Sequence, residues 1–203
     1  MDNTKSILIV GVGGQGTLLA SKLMGHVLIH KGYDVKVSEV HGMSQRGGSV
    51  VTYVRYGSQV HSPLIELGEA DYILSFEQLE AARYLSYLKL GGTVVANSAA
   101  IDPMPVITGV SRYPEHLLEE IKARSVALST CDALELARQA GNAKAVNVVL
   151  IGLFAKQMPF DGQDWKEAIK ATVPARLLDV NMKAFELGYQ YQDQDQCQDQ
   201  LGI

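Results

Sequence analysis

Short apolar runs alternate with helical periodicities along most of this chain. Residues 6–10 (SILIV) form a short run that is apolar after Ser6, the pattern of a strand buried on both faces of a parallel sheet. Behind them Leu19, Leu23 and Val27, with Ala20, Met24 and Leu28, recur at helical spacing over residues 17–30, and Lys31 and Gly32 end that helix. Residues 33–40 alternate as a second strand, so residues 6–40 read as one βαβ unit with a right-handed crossover, a Rossmann-like start. Residues 49–56 alternate again, and Gly57 and Ser58 predict a turn onto residues 59–62, an antiparallel hairpin excursion from an otherwise parallel sheet.

Further on, residues 71–76 predict a buried strand, residues 77–88 a helix, Gly91 and Gly92 a stop, and residues 93–97 a strand. Pro103 and Pro105 predict an extended stretch, Pro114 the first turn of a helix reaching Lys122, and residues 125–129 a strand. Helices are expected over residues 132–139, 144–157, 163–172 and 175–189, with no strand left for the last two to cover. The whole predicts an α/β fold: a three-layer open sheet, mainly parallel, with a helical C-terminal part. Residues 1–189 are expected to form a single domain, and residues 190–203, where Gln and Asp alternate, a solvated polar tail.

Composition narrows the function classes. The 18 Lys and Arg are outnumbered by 22 Asp and Glu, and they are scattered, which argues against a nucleic-acid partner. The opening residues lack the basic and apolar regions of an export signal, and no run reaches the ~18 apolar residues of a membrane span; a cytoplasmic protein without a membrane partner is expected. The only cysteines, Cys131 and Cys197, lie far apart, too few for the four thiolates of a [4Fe-4S] cluster, and no metal site is predicted.

Two polar segments stand out as candidate binding elements. The first is GVGGQG at residues 11–16, between a buried strand and an amphipathic helix, where Gly11, Gly13, Gly14 and Gly16 permit a tight turn and close approach of a ligand. The helix's first N–H groups would face an anion there, with Gln15 adding a side-chain donor. A helix terminus supplies only about 0.3–1 kcal/mol toward an anion, so further contacts are required. The second is HGMSQRGG at residues 41–48, leaving the second strand at the carboxyl edge. His41, Ser44, Gln45 and Arg46 offer a titratable ring, a hydroxyl, an amide and a forked cation, framed by Gly47 and Gly48, a set suited to carboxylate or phosphate groups. Loops on one carboxyl edge share a crevice, so the two segments are expected to build one surface. No nucleophile and base pair stands among them. Asn147, alone in an apolar helix, is open between a satisfied core amide and a contact residue.

The pairing of GVGGQG with EVHGMSQRGGSV resembles the gamma subunit or domain of the 2-oxoacid:ferredoxin (pyruvate/ketoisovalerate) oxidoreductases, most of all the beta subunit of the indolepyruvate type. Asn147 with Leu150, Gly152 and Leu153, then Trp165, Ile169, Pro174, Asn181, Phe185 and Gly188, continue the likeness, which covers nearly residues 6–189. The resemblance implies CoA-dependent oxidative decarboxylation of a 2-oxoacid to acyl-CoA, carbon dioxide and reduced ferredoxin, with arylpyruvates as the substrates of the indolepyruvate type. It also implies a large partner subunit that holds thiamine diphosphate, magnesium and the [4Fe-4S] clusters and through which ferredoxin is reached. This chain has neither the cysteines nor a GDG-type thiamine motif, so it is not expected to be active alone. His41 and Arg46 are then candidates for closing the active site, and Gly11, Gly13, Gly14, Gln15, Gly16, Ser44, Gln45, Arg46, Gly47 and Gly48 for contacting a cofactor, with coenzyme A at the shared interface left open.

A competing reading treats Gly11, Gly13 and Gly16 as a nicotinamide-dinucleotide turn, with Glu39, 23 residues after Gly16, as the ribose-binding carboxylate of a stand-alone NAD(P)-dependent oxidoreductase.

Overall fold

The computed structural model describes residues 4–41 and 48–192, of His41 the backbone only. Ser44, Gln45, Arg46 and Gly47, and all but the first residues of the expected Gln/Asp tail, lie outside the described residues.

Six strands among the described residues, β1 (Lys5–Val12), β2 (Asp34–His41), β3 (Ser49–Gly57), β4 (Ala70–Ser75), β5 (Leu88–Asn97) and β6 (Ala127–Cys131), form one sheet in the order β2-β3-β1-β4-β5-β6. β1, β4, β5 and β6 are parallel. β3 is antiparallel to both β1 and β2. The antiparallel excursion therefore exists, but its hairpin is β2 with β3, and residues 59–62 form no strand. β3 has also slipped between β1 and β2, so the expected βαβ unit is not one of neighbouring strands. β3 is suited to an interior place: Val50, Val51, Thr52, Val54 and Tyr56 are buried, and both of its backbone edges are paired, with β1 and with β2.

Burial of β1 on both faces sets up three layers. Ile7 and Ile9 point into a cluster with α1 (Thr17–His30), α5 (Ala133–Ala140), α6 (Val146–Ala155), α7 (Gly162–Thr172) and α8 (Leu178–Gln190). Leu8 and Val10 point the other way, towards Ala81 on α2 (Gln78–Arg83) and Ile121 on α4 (Leu117–Ala123). Each such side chain contributes about 1.5–3 kcal/mol by leaving water, which pins the strand's register. The C-terminal helices, which had no strand to cover, pack on the other helices of the first layer, α7 against α1 and α8 against α5 and α6.

Local expectations also change: Pro114 lies before α4 rather than in its first turn. The helix expected over residues 77–88 ends at Arg83; a 3-10 turn, Leu85–Tyr87, leads into β5 at Leu88, which pairs with Ala70, and Gly91 (φ 75°) absorbs the extra residues before Tyr72 meets Thr93. The Pro103 and Pro105 stretch is not extended throughout: it contains α3 (Met104–Ile107), with Pro105 in the first turn, where a missing N–H costs no helical bond. No helix among the described residues is long and apolar enough to cross a membrane.

Candidate functional site

The carboxyl ends of β1 and β2 and the start of β3 lie on one edge of the sheet. Val12 pairs with Ser49 and His41 with Val50, so both ends of the connection from β2 to β3 lie beside the glycine turn. Gly13 N–H donates to the Gly48 carbonyl at 2.8 Å, which ties the turn to the foot of that loop. Gly13, Gly14, Gly16, Thr17, Leu18, Glu39 and Val50 line a crevice of about 340 Å³. Helix α1 opens on it, and Gly16 supplies no side-chain cap to its amino end. Glu39 brings a carboxylate to the same crevice, accepting from Thr52 Oγ1 at 3.4 Å.

Each glycine of the turn has a distinct task. A side chain on Gly11 would meet Gln15 Oε1 at 2.8 Å and Phe76 Cβ at 2.9 Å. Gly16 adopts a left-handed conformation (φ 88°) with Asn147 Nδ2 packed where a Cβ would stand. Asn147 is thus placed against the turn, and its Oδ1 accepts from Val148 N–H at 3.0 Å. Gln15, expected to lend a donor to a ligand, instead braces the turn: its Oε1 accepts from Val12 N–H at 2.6 Å and its Nε2 donates to the Phe76 carbonyl at 3.0 Å. The Phe76 carbonyl also accepts from Asn97 Nδ2 at 3.2 Å, and Asn97 Oδ1 takes the Ala133 N–H at 3.1 Å. A run of amides therefore locks β1, β4, β5 and α5 together beneath the site.

The sequence reading missed two buried acids on this edge. Glu77 caps α2 through Glu80 N–H at 2.9 Å and accepts from Ile101 N–H at 3.1 Å and from the Tyr113 hydroxyl. Burial first, and then the bond to Glu77, push the Tyr113 hydroxyl well above its ordinary range and keep it a donor. Glu80 accepts from Ser49 Oγ, at the foot of the loop, and pairs with Arg83 Nε at 3.2 Å. Their visible signal was position alone: carboxylates just past the carboxyl end of a buried strand. Desolvation raises the Glu80 carboxyl above its ordinary 4.5, despite the Ser49 and Arg83 contacts. A raised acid favours the folded chain in its protonated form, and that benefit is lost as pH rises through its folded value. Glu80→Gln is accordingly expected to melt higher than the parent at neutral pH, the gap closing as pH falls through the raised folded value toward 4.5. Thermal unfolding followed by circular dichroism across that range checks it, and a gap that widens on acidification would refute the assignment.

No group of three or more His, Cys, Asp or Glu stands together among the described residues. Cys131 is a free, buried thiol. These residues do not fit a cluster or a metal.

Residues 6–191 match the family model described as pyruvate ferredoxin/flavodoxin oxidoreductase. The chain belongs to that family. It is similar to indolepyruvate oxidoreductase subunit IorB of Pyrococcus horikoshii, 48% identical over 191 residues that cover 90% of this chain and 93% of that protein. The fold matches a keto/oxoacid ferredoxin oxidoreductase gamma subunit from Geobacter sulfurreducens, with a TM-score of 0.67 and 21% identity over 91% of this chain and 96% of the other. It also matches part of the 2-oxoglutarate:ferredoxin oxidoreductase of Magnetococcus marinus, solved with 2-oxoglutarate, coenzyme A and succinyl-CoA bound, at TM-score 0.68 and 17% identity, covering 93% of this chain but 31% of that one. This family member is thus an oxidoreductase subunit of the 2-oxoacid:ferredoxin kind, as the resemblance implied. None of these comparisons supports a stand-alone nicotinamide enzyme, and the insertion of β3 sets Glu39 a full strand further from the glycine turn than in a βαβ dinucleotide fold.

Proposed function

We infer that residues 1–189 act as one domain that closes the active site of a large partner subunit carrying thiamine diphosphate, magnesium and the iron-sulfur clusters. The enzyme so completed oxidises an arylpyruvate of the indolepyruvate class with coenzyme A, giving acyl-CoA, carbon dioxide and two electrons that pass through the clusters to ferredoxin. The observation that carries this reading is the 48% identity with an indolepyruvate oxidoreductase subunit over almost the whole of both chains. The geometry agrees with it: the glycine turn and the loop of residues 41–48 share one edge, joined through Gly13 and Gly48.

On that reading the chain positions rather than reacts. The uncapped amino end of α1 offers amide donors to an anionic group of coenzyme A or substrate. Glu39 adds a carboxylate to the same crevice, and Arg46 on the adjoining loop is the forked cation placed by sequence to meet an anionic group there. His41, Ser44 and Gln45 add polar contacts from the same loop.

The test is co-expression with the large subunit and assay of indolepyruvate-dependent, CoA-dependent reduction of ferredoxin or a viologen. The assembled enzyme is expected to be active and the large subunit alone inactive; full activity of the large subunit alone would end the reading. Arg46→Ala is expected to lower turnover about 10- to 100-fold, the factor for a lost hydrogen bond to a charged group, while assembly is kept. Weakened assembly with unchanged turnover of the intact complex would make the loop a scaffold instead.

A further inference from the structure

The strongest feature outside the crevice is a second groove on the same edge, about 450 Å³, between the foot of the loop and the segment that carries α3. Val12, Gly48, Ser49 and Glu80 line one side, and Ile101, Met104 and Ile107 the other. Ile101 is 37% exposed, Met104 63%, Ile107 65% and Val110 79%. Single exposed apolar residues are ordinary, but these four fall within ten residues and are folded together. Met104 and Ile107 are one helical turn apart on α3, and the Val110 N–H returns to the Pro105 carbonyl at 2.9 Å.

The segment is also fixed in place. One carboxyl, Glu77, itself 1% exposed, accepts from Ile101 N–H at its start and from the hydroxyl of Tyr113, just beyond its end. A loop held near both roots by one buried carboxyl keeps its apolar side chains presented to solvent in one arrangement, so little ordering entropy is lost when a partner covers them. An apolar, preorganised surface of this kind is the usual centre of a protein interface.

We propose that the segment from Ile101 to Val110 is the docking element for the large, thiamine-bearing partner subunit, which covers it with an apolar face. The proposal rests on the functional reading above and names the surface that reading lacks. Two observations choose this occupant over a second copy of the chain. Val12 and Gly48 line the groove, and Gly48 accepts the N–H of Gly13, which lines the crevice, so the groove and the crevice adjoin and one body can cover both, whereas a second copy would bring no reaction centre there. The same fold makes up 31% of the Magnetococcus marinus chain, so it occurs joined to a body more than twice its size.

The experiment compares the parent chain, the double variant Met104→Glu/Ile107→Glu, and the control Leu64→Glu/Leu67→Glu, whose leucines are 59% and 67% exposed elsewhere on the surface. Each is titrated against the purified large subunit, and each isolated chain is examined by circular dichroism and sedimentation. Charges introduced at exposed positions leave the isolated fold intact. The Met104→Glu/Ile107→Glu variant is expected to raise the dissociation constant about 100-fold or more, the scale of two lost apolar anchors, with the control near the parent. Equal binding by parent and Met104→Glu/Ile107→Glu overturns the docking element while leaving the functional reading in place. Equal loss in the control also overturns it, since the effect is then one of charge. A self-associating parent whose dimer is abolished by Met104→Glu/Ile107→Glu, with large-subunit binding unchanged, assigns the segment to a second copy. A parent that does not bind the large subunit removes the functional reading and the docking element together.

Discussion

Gly188→Ala is expected to destabilise the chain by about 3 kcal/mol or more, the upper range for adding a methyl group to a packed core. At the crossing of α6 and α8 the backbones touch: a Cβ on Gly188 would overlap the Val149 carbonyl oxygen, with the Leu153 nitrogen only 3.1 Å away. Gly152 faces it from α6, where a Cβ would overlap the Phe185 carbonyl oxygen and stand 2.7 Å from the Tyr189 nitrogen. Backbone cannot rotate aside as a side chain does, so the helices must part along a face that includes the buried Val149, Leu153, Ala184 and Phe185. The control is Gly25→Ala in the middle of α1, where a Cβ meets nothing within 4 Å. There helix propensity alone acts, and alanine is expected to stabilise by about 0.5–1 kcal/mol. Urea unfolding of the three proteins decides it: two glycines inside helices, opposite signs. A Gly188→Ala variant as stable as Gly25→Ala would mean that the two helices are not in backbone contact.

This contrast shows where sequence is legible and where it is not. α1 and the run in β1 carry their environment in their own periodicity, so the extent of α1 could be read directly, while β1 runs on from the expected residues 6–10 to Val12. Gly152 and Gly25 are both glycines in helical patterns, and only the neighbouring helix separates them, which no local pattern encodes. The same holds for β3. Its alternation marked it as a strand, but its place between β1 and β2 depends on which edges the sheet leaves open. At the site, GVGGQG and the start of HGMSQRGG were visible because polar, glycine-rich stretches at the end of buried strands are hard to explain as core. Gln15 was visible, but its bracing of the turn was not. An amide side chain reads as a ligand donor until the Val12 N–H and the Phe76 carbonyl are seen to use it. Glu77 and Glu80 were passed over because burial of a carboxylate shows only once its donors, from Ile101, Tyr113, Ser49 and Arg83, are in place.

Gly16→Ala is expected to lower kcat/KM of the assembled enzyme by about 100-fold, the cost of moving a positioning element by roughly 1 Å. Two effects meet at this residue. Its φ of 88° places a side chain in the left-handed region, a strain of about 1–2 kcal/mol, and the new methyl group overlaps Asn147 Nδ2. Relief of the overlap must displace Asn147 or the turn, and Gly13 transmits a shifted turn to Gly48 and hence to the loop of residues 41–48. Gly32→Ala separates strain from displacement. Its φ of 84° imposes nearly the same strain, but a Cβ there meets nothing within 4 Å and the residue lies at the far end of α1. Both variants are expected to lose similar stability from the backbone alone, whereas only Gly16→Ala loses activity beyond its loss of folded enzyme. Turnover per assembled complex, measured below the melting range of either variant, is therefore the deciding quantity. Equal turnover for the two variants would mean that the glycine turn shapes the end of β1 without positioning anything the partner subunit uses.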